Sequence, residues 1–134
     1  MTPRKDGPPV VAILNTNDDT VEMLRMLVES EGMVGVSLHV SAIRRGGVDF
    51  GAFLEEHEPQ VIILDLPPPY DRSWLMYQHL RSLPSANHRT FVLTSTNPAR
   101  VREIAKSDEP ILEVIGKPYD LGLIVSAVKS AIGQ

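Results

Sequence analysis

The sequence predicts an α/β domain built on a doubly wound, five-stranded parallel sheet. Five short apolar segments alternate along the chain with amphipathic segments of helical periodicity. The apolar segments contain few polar residues, which is typical of strands that helices cover on both faces. Consecutive strand–helix units require right-handed crossovers, and these place helices on both sides of the sheet. We expect the strand order 2-1-3-4-5, one of the two common orders of doubly wound sheets.

The bulk properties fit a single domain of 134 residues. Residues 1–9 contain charges and prolines but no apolar signal sequence, so we interpret them as a flexible arm that precedes the domain at 10–134. The apolar runs are too short to cross a membrane. The absence of cysteine excludes disulfides and thiolate metal sites and favours a cytoplasmic location. A net charge of −4 with scattered basic residues argues against nucleic-acid binding.

The first strand–helix unit has the clearest boundaries. Residues 10–14 form a continuous apolar run, and residues 15–20 are rich in side chains that cap helices. A helical stripe of apolar residues follows, and Gly32 predicts its end. The stripe consists of Val21, Leu24, Leu27 and Val28.

The second unit begins with an alternating pattern. Apolar residues recur at every second position over 34–40, which predicts a half-buried edge strand. Helical spacing over 50–57 predicts the second helix, and Pro59 ends it.

The remaining units follow the same order. Strands are predicted at 61–64, 91–94 and 114–115. The third helix carries Met76, Tyr77, Leu80 and Leu83 and stops at Pro84, while Asn97 and Pro98 predict the start of the fourth. The fifth helix has an apolar stripe formed by Leu121, Ile124, Val125, Val128 and Ile132.

The predicted topology assigns each helix to a face of the sheet. Right-handed crossovers place the first and fifth helices on one face and the other three on the opposite face. We expect the residues between the sheet and its helices to be nearly fully buried. These are Ile13, Leu14, Val21, Leu24, Ile62, Ile63, Val92, Leu93, Leu121, Ile124 and Val128.

Polar side chains follow several strands where the strands end. Asp65 follows the apolar run at 61–64, Thr94 ends the fourth strand and Lys117 follows the fifth. In doubly wound sheets, ligands bind at the carboxyl ends of strands near the point where the strand order reverses. We therefore expect a carboxylate, a hydroxyl and an ammonium group at one edge of the sheet, beside residues 15–18.

These segments resemble those of the receiver domains of bacterial response regulators, over residues 10–132. Three segments, in this order and at these separations, carry the resemblance. They are Leu64-Asp65-Leu66 with Pro69 four residues after the aspartate, Leu93-Thr94, and Lys117-Pro118-Tyr119-Asp120-Leu121.

The resemblance implies a flavodoxin-like (βα)5 fold and a role in two-component signalling or a phosphorelay. It implies that Asp65 accepts a phosphoryl group from a histidine kinase, and that Lys117 and Thr94 contact the phosphate. Mg²⁺ would be needed only by an ordinary receiver. The chain would act through protein partners and would not itself be an enzyme. A homodimer would use the fourth helix, the fifth strand and the fifth helix.

Three departures from the family pattern favour an atypical receiver, or pseudo-receiver. The family has two acidic residues at the end of the first strand, where this chain places Thr16 and Asn17, so a metal would have only Asp65 and Asn17 as weak ligands. Val114 replaces an aromatic residue, and the prolines at 67–69 favour a stiff polyproline II loop.

Other interpretations stay open at this point. Asp18 and Asp19 would supply the acidic pair if the loop before the first helix were shorter by two residues. An ordinary phosphorylated receiver is the main alternative. A flavodoxin-like cofactor domain is a remote one, since the loop after the first strand lacks the glycine that close approach to phosphate favours. The resemblance also predicts a cis peptide bond between Lys117 and Pro118.

Overall fold

The computed structural model describes residues 7–44, 49–106, 111–113 and 121–133. Strands and helices alternate through these residues, with one additional short helix after the second strand. The strands are β1 (Val10–Asn15), β2 (Val34–His39), β3 (Val61–Asp65), β4 (Thr90–Ser95) and β5 (Ile111–Glu113). The helices are α1 (Asp18–Ser30), α2 (Val40–Arg44), α3 (Phe50–His57), α4 (Tyr70–Ser82), α5 (Pro98–Ala105) and α6 (Leu121–Ala131).

The strands form one parallel sheet in the order β2-β1-β3-β4-β5. The predicted fold class and strand order are therefore confirmed. Because β1 and β3 are neighbours, the strand order reverses between them and a crevice opens at their carboxyl ends. Asp65 and the residues that follow β1 line that crevice.

Two apolar layers enclose the sheet, one on each face. Side chains alternate between them along each strand, so that Ile13 and Ile63 pack against α1 and α6, whereas Leu14 and Leu64 pack against α3, α4 and α5. The predicted first to fifth helices correspond to α1, α3, α4, α5 and α6. Their predicted distribution over the two faces is confirmed.

Nine of the eleven residues predicted to be nearly fully buried are buried. The prediction was wrong for Val21 and Leu121, which are half-buried. The buried side of α1 runs through Thr20, Leu24 and Val28, so Val21 lies beside that stripe. Leu121 is the first residue of α6, one turn before the buried residues Ile124 and Val128.

Some predicted boundaries need correction. Helix α1 begins at Asp18, because Asn17 caps it. Strand β2 ends at His39, because Val40 turns inward as the fully buried first residue of α2. Strand β5 occupies Ile111–Glu113, and the predicted strand at 114–115 lies outside the described residues.

The predicted helix ends are largely confirmed. Gly32 has a φ of +81° just after α1, a conformation that glycine adopts without steric cost. Asn97 caps α5 by accepting a hydrogen bond from the Arg100 backbone N–H, with Pro98 in the first turn. None of the helices in the described part of the chain has the length and apolar character needed to span a membrane.

Candidate functional site

The candidate site is centred on Asp65, the last residue of β3. The run of apolar residues before it is buried, while Asp65 itself is half-buried at the edge of the sheet. In the register of the sheet, Asp65 pairs with Thr94 of β4, and Leu14 of β1 pairs with Leu64. Asn15 therefore ends β1 at the same level as Asp65. An apolar strand can end in a carboxylate here because the sheet opens onto a polar crevice.

Thr94 is the hydrogen-bond partner of Asp65. Its hydroxyl donates to Asp65 Oδ1 at 2.9 Å, and Thr94 is only 2% exposed. Burial raises the pKa of the Asp65 carboxyl, and the bond from Thr94 opposes part of that rise. The site thus brings together two of the residues predicted from the sequence, in a setting that disfavours extra negative charge.

A pocket of about 230 Å³ opens beside Asp65. Its walls come from the loop after β1, the proline loop after β3 and the loop after β4. Among the described residues that line it, Asp65 is the only ionisable one; the others are Asn15, Thr16, Asn17, Thr20, Pro67, Pro68 and Thr96.

The amide side chains on the β1 side of the pocket bind the backbone of their own loop. Asn15 Oδ1 accepts hydrogen bonds from the backbone N–H groups of Thr16, at 2.7 Å, and of Asn17, at 3.0 Å. Asn17 Oδ1 accepts from the backbone N–H of Thr20 at 2.9 Å. Both amide oxygens are therefore engaged in hydrogen bonds that stabilise the turn into α1.

Asp18 and Asp19 do not line this pocket. They occupy the exposed first turn of α1, where a negative charge interacts favourably with the helix dipole. The alternative in which they take the place of the family's acidic pair is therefore not supported by their position.

Sequence reasoning placed Asn15 beside the site but did not assign it to either of the two family positions. It assigned the two family positions to Thr16 and Asn17 by counting back from the apolar stripe of the first helix. Strand β1 continues to Asn15, which is 7% exposed and level with Asp65, so the two positions at the strand end are Asn15 and Thr16. A count forward from the apolar run at 10–14 would have identified Asn15. On either count, both side chains are uncharged.

Hydrogen bonds from neighbouring elements stabilise the proline loop, residues 66–69 between β3 and α4. The Leu66 backbone N–H donates to the Thr94 carbonyl at 2.8 Å, and the Leu66 carbonyl accepts from the hydroxyl of Ser95 at 3.3 Å. The Ser73 hydroxyl donates to the Pro67 carbonyl. At the far end of the loop, the hydroxyl groups of Tyr70 and Thr96 lie 3.1 Å apart. The peptide bond between Pro68 and Pro69 is cis.

The described donors do not suit a hard divalent cation. Such ions prefer several charged oxygen ligands, and here Asp65 supplies one carboxylate while the oxygens of Asn15 and Asn17 accept backbone hydrogen bonds. No group of three or more His, Cys, Asp or Glu residues able to hold a metal occurs within the described ranges. Asn17, predicted as a weak metal ligand, lines the pocket in the role of a helix cap.

The remaining predictions for this site fall on residues that the structure does not describe. Lys117, its peptide bond to Pro118 and Val114 all lie within 114–120. Their assignments stay predictions.

Solved structures of receiver domains superimpose on almost the whole chain. The chemotaxis protein CheY4 of Vibrio cholerae matches with a TM-score of 0.68 at 12% identity, over 93% of this chain and 99% of that one. A receiver domain from Methylobacillus flagellatus matches with a TM-score of 0.66 at 17% identity, over 93% and 99% of the two chains. The chain has the receiver-domain fold.

A response regulator from Thermotoga maritima matches this receiver fold as well, with a TM-score of 0.67 at 15% identity, over 95% of this chain and 99% of that one. No protein-family model and no curated protein matches the sequence. At these identities the likeness establishes the fold, and the function has to be argued from the site.

Proposed function

We propose that this chain is the receiver module of an atypical response regulator, which acts by protein–protein contact with weak or absent metal-dependent phosphorylation at Asp65. The observation that carries the proposal is that, among the described residues that line the Asp65 pocket, all except Asp65 are uncharged. Ordinary receivers, which the chain resembles, offset the charge of the phosphoryl group with a cation held by three carboxylates. Here the two positions at the end of β1 are Asn15 and Thr16.

The electrostatics of the pocket support the same conclusion. Phosphorylation would place additional negative charge on a carboxyl group whose pKa is already raised by burial. Asp18 and Asp19 begin the helix that follows Thr16 and Asn17, and they would repel that charge rather than hold a cation against it.

The decisive experiment is incubation of the protein with acetyl phosphate and Mg²⁺, followed by intact-mass measurement. An ordinary receiver treated in parallel serves as the positive control, and Asp65→Asn identifies any modification at another residue. We expect little modification of this protein under conditions that label the control. Stoichiometric labelling at Asp65 with millimolar Mg²⁺ would overturn the proposal.

Two double variants test whether the missing carboxylates are the cause. Asn15→Asp with Thr16→Asp restores the acidic pair at the positions that the structure indicates. Thr16→Asp with Asn17→Asp restores the pair at the positions that the sequence alone predicted. Aspartate at position 17 can still cap α1. We expect the first pair to gain more Mg²⁺ affinity by titration calorimetry. If neither gains any, the carboxylates are not what limits metal binding.

An ordinary phosphorylated receiver is the second candidate. The hydrogen bond from Thr94 to Asp65 favours it, because the same hydroxyl would be in place to contact a phosphate on Asp65. The labelling experiment separates the two candidates directly.

The proposed partners are a histidine kinase or another signalling protein, in the cytoplasm. A homodimer, if one forms, would use α5, β5 and α6. We propose that the chain has no enzymatic activity of its own. Crosslinking between α5 and α6 of two copies would test the dimer, and a dimer through α1 or the proline loop would contradict it.

A further inference from the structure

Asn15 is a buried side chain of the Asp65 pocket, and only half of its amide group is used in hydrogen bonds. It is 7% exposed, and its Oδ1 accepts from the backbone N–H groups of Thr16 and Asn17. Because these two donors identify the oxygen, the other atom of the amide is Nδ2, which carries two N–H donors. No residue in the described part of the chain accepts a hydrogen bond from Nδ2. A buried donor without an acceptor is destabilising, so a ligand or a water molecule is expected at this atom.

Asp65 has an unused acceptor beside this donor. Its Oδ1 accepts from Thr94, and none of the described residues donates to Oδ2. Asp65 and Asn15 end neighbouring strands at the same level, and such strands are about 4.8 Å apart. The preceding residues Leu64 and Leu14 belong to one apolar layer, so the side chains of Asp65 and Asn15 both leave the sheet on the opposite face. A carboxylate oxygen and an N–H donor are therefore neighbours in the pocket.

The other described groups that line the pocket are uncharged. Asn17 Oδ1 accepts from the backbone N–H of Thr20, which leaves Asn17 Nδ2 without an acceptor among the described residues. The hydroxyl groups of Thr16 and Thr96 also line the pocket. The pocket volume of about 230 Å³ is several times that of a water molecule. The pocket can therefore hold a small polar group of several atoms.

This arrangement disfavours ions of either sign. A cation would be attracted to Asp65 but would meet the positive ends of the N–H donors on Asn15 and Asn17. An anion would accept from those donors but would be repelled by the Asp65 carboxylate. A neutral primary carboxamide suits both sides, because its carbonyl oxygen accepts from N–H groups while its own NH₂ group donates to a carboxylate.

We propose that the Asp65 pocket binds a neutral primary carboxamide group. The carbonyl oxygen of this group accepts from Asn15 Nδ2, and its NH₂ group donates to Asp65 Oδ2. The side chain of a glutamine or asparagine of a partner protein and a small free amide share this chemistry. The inference rests on the proposed function, because a phosphoryl group with its cation would fill the same space.

The side-chain NH₂ signals of Asn15 in a nuclear magnetic resonance titration of the full, isotopically labelled chain provide the readout. The probe is propionamide, and we expect a saturable shift of these signals. Three compounds are matched controls: N,N-dimethylpropionamide lacks N–H donors, propionate is an anion that only accepts, and methylguanidinium is a cation that only donates. Each should bind about tenfold more weakly than propionamide or worse, since each loses at least one hydrogen bond.

Two substitutions should change this selectivity. Asn15→Asp keeps an oxygen that can accept from Thr16 and Asn17 but removes the NH₂ group, so propionamide should bind about tenfold more weakly, as measured by backbone signals of the loop after β1. Asp65→Asn replaces the acceptor with a donor, so propionate should then bind more tightly than propionamide. Asn87→Asp makes the first change outside this pocket and should bind like the unmodified protein. Circular dichroism would verify that each variant is folded.

Two peptides distinguish the sources of the amide. Acetyl-Gly-Gln-Gly-N-methylamide presents one primary carboxamide, and acetyl-Gly-Glu-Gly-N-methylamide replaces it with a carboxylate on the same main chain. The glutamine peptide should bind and the glutamate peptide should not. Tighter binding of the glutamine peptide than of propionamide would support a partner side chain as the ligand, whereas weaker binding would support a small free amide.

The absence of a saturable shift up to about 100 mM propionamide would overturn the proposal and would leave water as the partner of Asn15. Equal binding of propionamide and its dimethyl analogue would overturn it as well, and so would binding of propionate or methylguanidinium at least as tight as that of propionamide. Failure of this inference can be told from failure of the proposed function. Stoichiometric labelling of Asp65 by acetyl phosphate contradicts the proposed function, whereas absent labelling together with absent amide binding contradicts this inference alone.

Discussion

Two pockets lie at opposite ends of the sheet, one beside Asp65 at the carboxyl end of β3 and one beside Arg81 at the amino end of β4. Their ionisable groups stand in different environments. At the carboxyl end, Asp65 is half-buried with a threonine hydroxyl as its partner, and burial raises the pKa of its carboxyl. At the amino end, Arg81 is an exposed residue whose guanidinium group lies over the Tyr77 ring and donates a hydrogen bond to the Tyr77 hydroxyl. Burial thus disfavours the charged form of Asp65, whereas the face of the Tyr77 ring favours the cation of Arg81.

This difference separates fold from chemistry. The position of Asp65 at the strand-order reversal follows from the doubly wound topology, and so does the opening beside it. Whether an anion is stabilised there depends on individual side chains, and we propose that the neutral groups at the end of β1 bind the required cation weakly.

The largest expected effect concerns the aromatic floor of the amino-end pocket. Tyr77→Ala removes a side chain that is 5% exposed and packed between Trp74 and Phe91. We expect it to lower the free energy of unfolding by about 3–5 kcal/mol, the range for large aromatic side chains in cores. Urea denaturation followed by circular dichroism measures this. A loss below about 1 kcal/mol would mean that the aromatic row does not contribute to the core.

The next effect concerns the partner of Asp65. Thr94→Val keeps the shape of the side chain but removes the hydroxyl that donates to Asp65 Oδ1. We expect a loss of about 1–3 kcal/mol in the free energy of unfolding at neutral pH, because a half-buried carboxylate loses a donor. The pKa of Asp65 should rise further. Thr94→Ser, which keeps the hydroxyl, should recover most of the loss, and equal losses in both variants would exclude the hydrogen bond as the cause.

The fold could be predicted almost completely from the sequence, because hydrophobic periodicity and capping residues carry that information. The apolar runs at 10–14 and 61–64 are typical of buried strands, and Asn97-Pro98 is typical of the start of a helix. The short helix at Val40–Arg44 could not be predicted, since Val40 continues the alternation of β2 until tertiary packing turns it into the core.

The candidate site could be predicted in part. Asp65 and Thr94 followed from their positions at strand ends, and the structure shows the hydrogen bond between them. The two family positions were placed one residue too late, at Thr16 and Asn17 instead of Asn15 and Thr16, because strand ends are uncertain by a residue or more. The pocket lined by Arg81 and Phe91 could not be predicted, since a helix and a strand form it only when they pack together, and such packing leaves no local sequence pattern.

The raised pKa of Asp65 predicts a pH-dependent effect on stability. The folded-state pKa of Asp65 is raised, so the folded protein binds the proton more tightly than the unfolded chain, whose aspartate pKa is about 3.9. The contribution of Asp65 to stability is therefore full below that value and is lost as the pH rises through the folded-state pKa.

Asp65→Asn removes this titration and should be more stable than the unmodified protein at pH 7 but not at pH 3. Thermal unfolding across this pH range, with the two proteins in parallel, measures the difference. If the unmodified protein is instead stabilised relative to Asp65→Asn as the pH rises, a cation must offset the burial of Asp65. Lys117, which the resemblance predicts to contact a phosphate on Asp65, would then be the first residue to replace.

The smallest effects come from the same chemical change made in each pocket. Tyr77→Phe removes the hydroxyl that accepts a hydrogen bond from Arg81, whereas Tyr70→Phe removes the hydroxyl that lies 3.1 Å from Thr96 Oγ1 at the exposed end of the proline loop. A partly buried bond to a charged donor contributes about 1.5 kcal/mol or more, while an exposed bond between neutral hydroxyls contributes about 0.5 kcal/mol, because water replaces it readily. We therefore expect Tyr77→Phe to cost more free energy of unfolding than Tyr70→Phe. A larger cost for Tyr70→Phe would mean that the bond to Thr96 holds the proline loop in place, so that the Asp65 pocket depends on this contact more than its exposure indicates.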